Sequence, residues 1–209
     1  MSAPVLVCFA FEGEANPFRR LVRNRSDIRI LVTGMGRRNT ERAIEAALKT
    51  ARPEWVFTCG IAGGLDPALR IGDVVFQTSE EEIAARLCRA GAKRAAITCE
   101  TRVAITAVEK AALRERSKAD AVEMESAYIQ DVCARERIAC ATVRSISDAA
   151  SDELPLDMNR LWTGGKNLNP LKLTLAILRS PPKIPALMRL GKNTTLAAEQ
   201  LAAVLARII

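Results

Sequence analysis

Glu12 and Glu14 follow the first apolar run of the chain, Glu123 and Glu125 flank Met124, and Asp148 closes the run Thr142-Val-Arg-Ser-Ile-Ser-Asp148. Carboxylates at the ends of buried strands can converge on one cleft, where burial tunes them for proton transfer. A solvated loop or a helix N-terminus accounts for Glu12, Glu123 and Asp152 taken singly. The apolar setting of Ala121, Val122 and Met124 points instead to buried acids. The chain contains no histidine, which excludes Ser-His and Cys-His nucleophiles and the common zinc sites. Proton transfer therefore falls to carboxylate, lysine, tyrosine or cysteine. The six cysteines are scattered without CxxC spacing and read as reduced core residues, so neither a metal nor another cofactor is expected.

Three glycine turns border these acids: Thr33-Gly34-Met35-Gly36, Gly60-Ile-Ala-Gly-Gly-Leu65 and Ile71-Gly72-Asp73. Glycine allows backbone N–H groups to approach a ligand at strand carboxyl ends, and it equally serves a plain turn. Arg37, Arg38, Arg102 and Arg144 offer either phosphate ligands or surface and structural cations.

The elements that must position these residues follow from periodicity. Strands are predicted at Val5–Phe9, Ile28–Val32, Trp55–Cys59, Asp73–Gln77, Ala95–Thr98 and Ala139–Val143, alternating with helices, the pattern of an α/β fold with a largely parallel sheet. A helix over Glu41–Thr50 can be capped by Asn39 or Thr40. Thr106-Ala-Val-Glu109 is a capping box for a helix to about Arg116, and Glu123–Arg135 carries apolar residues at i, i+3, i+4 spacing. Beyond Asp148, a polar stretch leads to a helix at Pro170–Arg179, a turn at Pro185–Leu190 and a final helix at Thr194–Ile209. Residues 1–209 are read as one domain with a helical C-terminal extension at about 154–209.

Of the 209 residues, 49% are hydrophobic and 26% charged, which excludes a disordered or low-complexity chain. No apolar run is long enough to cross a membrane, and the first residues lack the basic region of a signal peptide, so a cytoplasmic location is expected. The net charge is +7, and six basic residues face the single acid Glu199 after residue 170. Aromatic residues make up only 4% and do not interleave with basic ones, which argues against a nucleic-acid partner.

Three blocks together carry a resemblance: Gly60-Ile-Ala-Gly-Gly-Leu-Asp-Pro-Ala-Leu-Arg-Ile-Gly-Asp-Val-Val75, Val122-Glu-Met-Glu-Ser126 and Val143-Arg-Ser-Ile-Ser-Asp148. In order and spacing they resemble the nucleoside phosphorylase and nucleosidase superfamily. Within it they are most similar to methylthioadenosine/S-adenosylhomocysteine nucleosidases and the hopanoid-associated purine nucleosidase/phosphorylase group. The resemblance implies a twisted mixed sheet flanked by helices, a homodimer or larger oligomer, and cleavage of the N-glycosidic bond of a purine nucleoside by water or phosphate.

Carried over residue by residue, Asp148 contacts N7 and the exocyclic amine of adenine, Glu125 holds the ribose 2′ and 3′ hydroxyls over Met124, and Glu14 activates water. Thr101-Arg-Val103-Ala104 resembles the segment whose backbone reads the base edge, with Val103 where an aromatic is often stacked. Glu123, Gly63, Ile61 and Phe11 join the substrate contacts. Gly36, Arg37 and Arg144 become the phosphate ligands of a phosphorylase. Ile61 stands where hydroxyl-bearing residues are common, which weakens phosphorolysis and keeps an idle nucleoside-binding protein in view. The segment between Val75 and Ala95 is shorter than in the methylthioadenosine enzymes. With the basic, apolar residues of 154–190, this implies either a buried helix pair or a membrane-facing surface open to a lipid-linked nucleoside such as adenosylhopane.

Overall fold

In a computed structural model, which describes residues 4–157, 159 and 181–209, the apolar runs become strands β1 (Val5–Phe9), β2 (Ile28–Val32), β3 (Trp55–Gly64), β4 (Val74–Gln77), β5 (Lys93–Arg94), β6 (Ile97–Cys99), β7 (Ala121–Glu123) and β8 (Ala139–Asp148). They form one sheet in the order β2-β1-β3-β8-β4-β5, with β7 paired to the far end of β3 and β6 to β7. β2, β1, β3 and β8 run parallel, while β4 is antiparallel to β8 and β7 to β3. The sheet is thus mixed and largely parallel.

Helices α1 (Glu12–Leu21), α2 (Arg37–Thr50), α3 (Glu81–Arg89), α4 (Ala107–Ser117), α5 (Ser126–Glu136) and α6 (Ile184–Ile208) flank it. Phe18 of α1 and Leu201 and Leu205 of α6 pack on Phe9, Phe57, Phe76 and Val143. Ile44 of α2 and Ile129 and Val132 of α5 pack on Leu6, Cys8 and Val56. With both faces covered, the central strands are apolar throughout rather than alternating, which is why they read as continuous runs.

Several elements differ from the sequence reading. The acids after β1 lie in the first turn of a helix, α1, whose extent to Leu21 was not anticipated. β3 and β8 each run to ten residues, five beyond their predicted ends. The strand expected at Ala95–Thr98 starts only at Ile97, as β6, and Ala95 and Ala96 form a break after β5, where Ala95 N–H still bonds Phe76 O while Ala96 N–H turns to the Asp120 carboxylate. The helix expected from Glu123 begins at Ser126, after β7. α2 begins at Arg37 with Gly36 as its N-cap, and α3 was not anticipated. The predicted turn at Pro185–Leu190 and helix from Thr194 are one 25-residue helix, α6. The helix predicted at Pro170–Arg179 lies outside the described residues.

Candidate active site

The carboxyl ends of β1, β3 and β8, with β7 beside them, open on a cavity of about 200 Å³. Open α/β sheets bind ligands at this end. Phe11 and Glu14 of the β1–α1 segment, Ile61 and Gly63 of β3, and Val103 and Ala104 before α4 line it. So do Glu123, Met124 and Glu125 at the β7–α5 junction and Asp148 at the end of β8. The ten residues proposed as catalytic or substrate-binding therefore meet at one place. The sequence reading did not assign Met35, Ala62, Val122, Ser147, Leu154, Leu190 or Thr194, which complete the wall with Arg102.

A register shift aims Asp148. Opposite Ala62 and Gly63, β8 holds one residue more than β3, and such a bulge redirects side chains beside a site. Consecutive residues Ser147 and Asp148 thus both reach the cavity, and Ser147 Oγ donates to Asp148 Oδ1 at 2.7 Å. Gly63 makes room for this carboxylate: a β-carbon there would lie 3.2 Å from Asp148 Oδ2. On the other side Lys110 of α4, itself fully buried, places Nζ 2.5 Å from Oδ2. Sequence reasoning missed Lys110. Its only sign was a lysine one turn before Leu113 on the inward stripe of a well-capped helix.

Glu14 is buried in the first turn of α1, accepting hydrogen bonds from Ile61 N at 3.1 Å and Ala10 N at 3.3 Å. A β-carbon at residue 60 would come within 3.2 Å of both its oxygens, so glycine is required for this approach. Burial raises the Glu14 pKa, against the opposing pull of these amides and of Arg144.

Glu123 and Arg144 form a buried ion pair beside these acids. Arg144 is buried inside β8, donating to Thr58 O at 2.5 Å, Val143 O at 3.0 Å, Thr58 Oγ1 at 3.1 Å and Glu123 Oε2 at 2.5 Å. Glu123 also accepts from Glu125 N, Ser126 N and Ser126 Oγ, which caps the start of α5. Burial pushes the Glu123 pKa up, but Arg144 and these donors outweigh it and hold the carboxyl below its ordinary range. Each is thus the other's structural partner.

With Arg144 engaged by Glu123, the neighbouring acid Glu125 is undercompensated. Burial first, then the charge of Glu123, pushes its pKa up to about 8. Its Oε1 is buried without a hydrogen-bond partner among the described residues. A buried acceptor left unmatched costs free energy until a donor arrives, so this oxygen is suited to a ligand hydroxyl.

Of the suggested phosphate ligands, Gly36 donates its N–H to the Glu125 carboxylate, and Arg144 borders a small cavity shared with Glu14, Ile61 and Glu125. Gly36, with φ of 77°, starts α2, and Arg37 pairs with Glu41 at 2.8 Å while lying over the Tyr128 ring. In the segment expected to read a base edge, Val103 N donates to Asn159 Oδ1 at 2.9 Å, and Val103 O accepts from Asn159 Nδ2 at 3.1 Å. No cluster of residues suited to a metal ion occurs among the described residues.

Known proteins place this arrangement. A 5′-methylthioadenosine/S-adenosylhomocysteine nucleosidase of Glaesserella parasuis serovar 5 (strain SH0165) is 26% identical over 186 residues, covering 73% of this chain and 77% of that protein. The same-named nucleosidase of Neisseria meningitidis, solved with methylthio-immucillin-A, superposes with a TM-score of 0.75 at 19% identity over 99% of this chain and 98% of the other. Futalosine hydrolase of Helicobacter pylori strain 26695 gives 0.74 at 17% identity over 100% and 97%. Residues 11–80 and 92–179, well over half of the chain, match the phosphorylase superfamily. The chain belongs to the phosphorylase superfamily.

Proposed function

We propose that this protein is a purine nucleosidase that hydrolyses the N-glycosidic bond of an adenosine derivative. The observation that carries the reading is the convergence of Asp148, Glu125 and Glu14 on one cavity, each in a different electrostatic setting. Glycosidic cleavage passes through an oxocarbenium-like state, so it needs a proton on the leaving base, a clamp on the sugar and a base for the nucleophile. Asp148 addresses N7, and the base lies against Val103 and Ala104. The unmatched Oε1 of Glu125 accepts the ribose hydroxyls over Met124. Glu14, held by two backbone amides, takes the proton of the attacking water.

Hydrolysis fits better than phosphorolysis on this same scaffold. The amides of Ile61 and Ala10, which could have received an anion, already hold the Glu14 carboxylate. Arg144 is engaged with Glu123 and backbone carbonyls. The walls formed by Phe11, Met35, Leu154 and Leu190 suit an apolar 5′ substituent, from the methylthio group in the name of the relative to a bulkier chain such as the lipid of adenosylhopane. Exposed Ile184, Met188 and Leu196 on α6 support the longer chain and a peripheral membrane contact.

Adenine release from adenosine, methylthioadenosine and an adenosine with a long 5′-alkyl chain, with and without inorganic phosphate, tests the reading. Release without phosphate is expected, and fastest for a 5′-apolar substrate. A strict phosphate requirement would convert the assignment to a phosphorylase, and adenine binding without any release to a nucleoside-binding protein.

A further inference from the structure

We propose that Lys110 supplies, through Asp148, the proton that the departing base takes up; this rests on the nucleosidase reading above. The Lys110 ammonium is 1% exposed and donates to Asp148 Oδ2 at 2.5 Å, Ala149 O at 2.7 Å and Asp152 O at 3.1 Å. An ammonium has three N–H bonds, so all are used. Ser147 Oγ holds the other oxygen of Asp148. A carboxylate engaged in this way is an acceptor on both oxygens.

In the reaction one Lys110 N–H bond breaks as Asp148 Oδ2–H forms. That O–H bond then breaks as N7–H forms, and the C1′–N9 electron pair leaves with the base. Water adds to C1′ and its proton passes to the Glu14 carboxylate. Lys110 ends neutral and Asp148 ionised, so one proton returns to Lys110 and one leaves Glu14 before the next cycle. A second cavity of about 20 Å³, with room for roughly one water, reaches Asp148 from the side of Asp152, Glu153, Arg189 and Asn193 and offers the route of return. The charged groups facing the pair are Asp152 and Glu153 in the loop after β8, Arg189 on α6, and Arg102, Glu14, Glu123 and Glu125 around the main cavity. A pure positioning role needs only the positive charge, which arginine also provides. Proton supply needs a group that releases its proton, which arginine does not.

Lys110→Arg and Lys110→Met proteins, checked for folding by thermal melting, separate the two roles. Adenine release is measured on the best nucleoside substrate of the wild type, and nitrophenolate release on 4-nitrophenyl β-D-ribofuranoside, whose leaving group requires no proton. K110R is expected to lose at least ~10²-fold on the nucleoside at every pH, and to change little on the nitrophenyl riboside. K110M, which removes the donor outright, is expected to lose on the nucleoside as K110R does and to change little on the nitrophenyl riboside. Wild-type rates on the nucleoside in either variant, or equal losses on both substrates, would each overturn the proposal. A wild type that cleaves neither substrate at any pH would overturn the nucleosidase reading itself, and this proposal with it.

Discussion

Asp148 and Glu125 are both carboxylates, yet their partners separate their roles. Asn at 148 keeps the shape and one hydrogen bond but cannot carry a proton to N7. Turnover of Asp148→Asn is expected to fall at least ~10²-fold, measured as adenine release, with the melting temperature recorded alongside. Glu125 titrates at about 8 in the folded protein, above its value in the unfolded chain. The folded state therefore keeps a proton that the unfolded chain has released, and this group makes the protein less stable as pH rises from the ordinary carboxylate range toward 8. Ribose hydroxyls donate to the ionised form. For the wild type kcat/KM is thus expected to climb as pH approaches 8, with the corresponding limb of kcat displaced to lower pH. Glu125→Gln removes that limb and flattens the fall of melting temperature with pH. It also weakens a ribo substrate by about 10–100-fold, the worth of a charge-assisted hydrogen bond, and a 2′-deoxy substrate by less. Equal losses on both sugars would contradict the clamp.

The acids were legible in the sequence because they interrupt apolar runs at strand ends. Their partners were not. Lys110 looks like any solvated lysine on a charged helix until the loop after β8 is folded over it, and Arg144 counts as one polar residue in a strand whose inward-facing Thr58 partner lies 86 positions away.

Among the elements, α4 shows how a local signal can govern a distant site. Thr106 Oγ1 accepts from Glu109 N at 3.1 Å, and Glu109 Oε2 accepts from Thr106 N at 3.0 Å, completing the capping box read from sequence. This box sets the first turn from which Lys110 reaches Asp148. Thr106→Ala is expected to cost about 1 kcal/mol in chemical denaturation, with kcat falling more than KM rises, because the reach of Lys110 loosens. The other elements were legible in proportion to their length. β1, β2 and α2 announce themselves by apolar runs or periodicity, whereas β7 has three residues and is a strand only because β3 and β6 pair with it. Pro17 and the clustered charges disguise α1. Gly191 disguises the continuity of α6, since an interior glycine disfavours a helix by about 1 kcal/mol. Packing of Ala197, Leu201 and Leu205 into the core outweighs that penalty. The bulge that aims Asp148 has no local signature, because it depends on register against a strand some 85 residues earlier.

Across the whole molecule the alternation of strands and helices was sufficient to read a largely parallel sheet covered by helices, and its mixed character came with the family resemblance, while the order of its strands was not legible, since order depends on which crossover packs where. The same long-range folding brings Asn159 onto Val103, 56 residues away. A carboxamide that bonds both the N–H and the C=O of one residue presents the donor–acceptor pair that the amino edge of adenine presents. Asn159 is thus an intramolecular competitor for the backbone against which the base is proposed to lie. A ligand that must displace an internal rival has its apparent affinity reduced by the fraction of molecules in which the rival is bound. Free adenine should therefore bind Asn159→Ala more tightly than the wild type in calorimetry, and unchanged affinity would show that base and carboxamide do not share that edge.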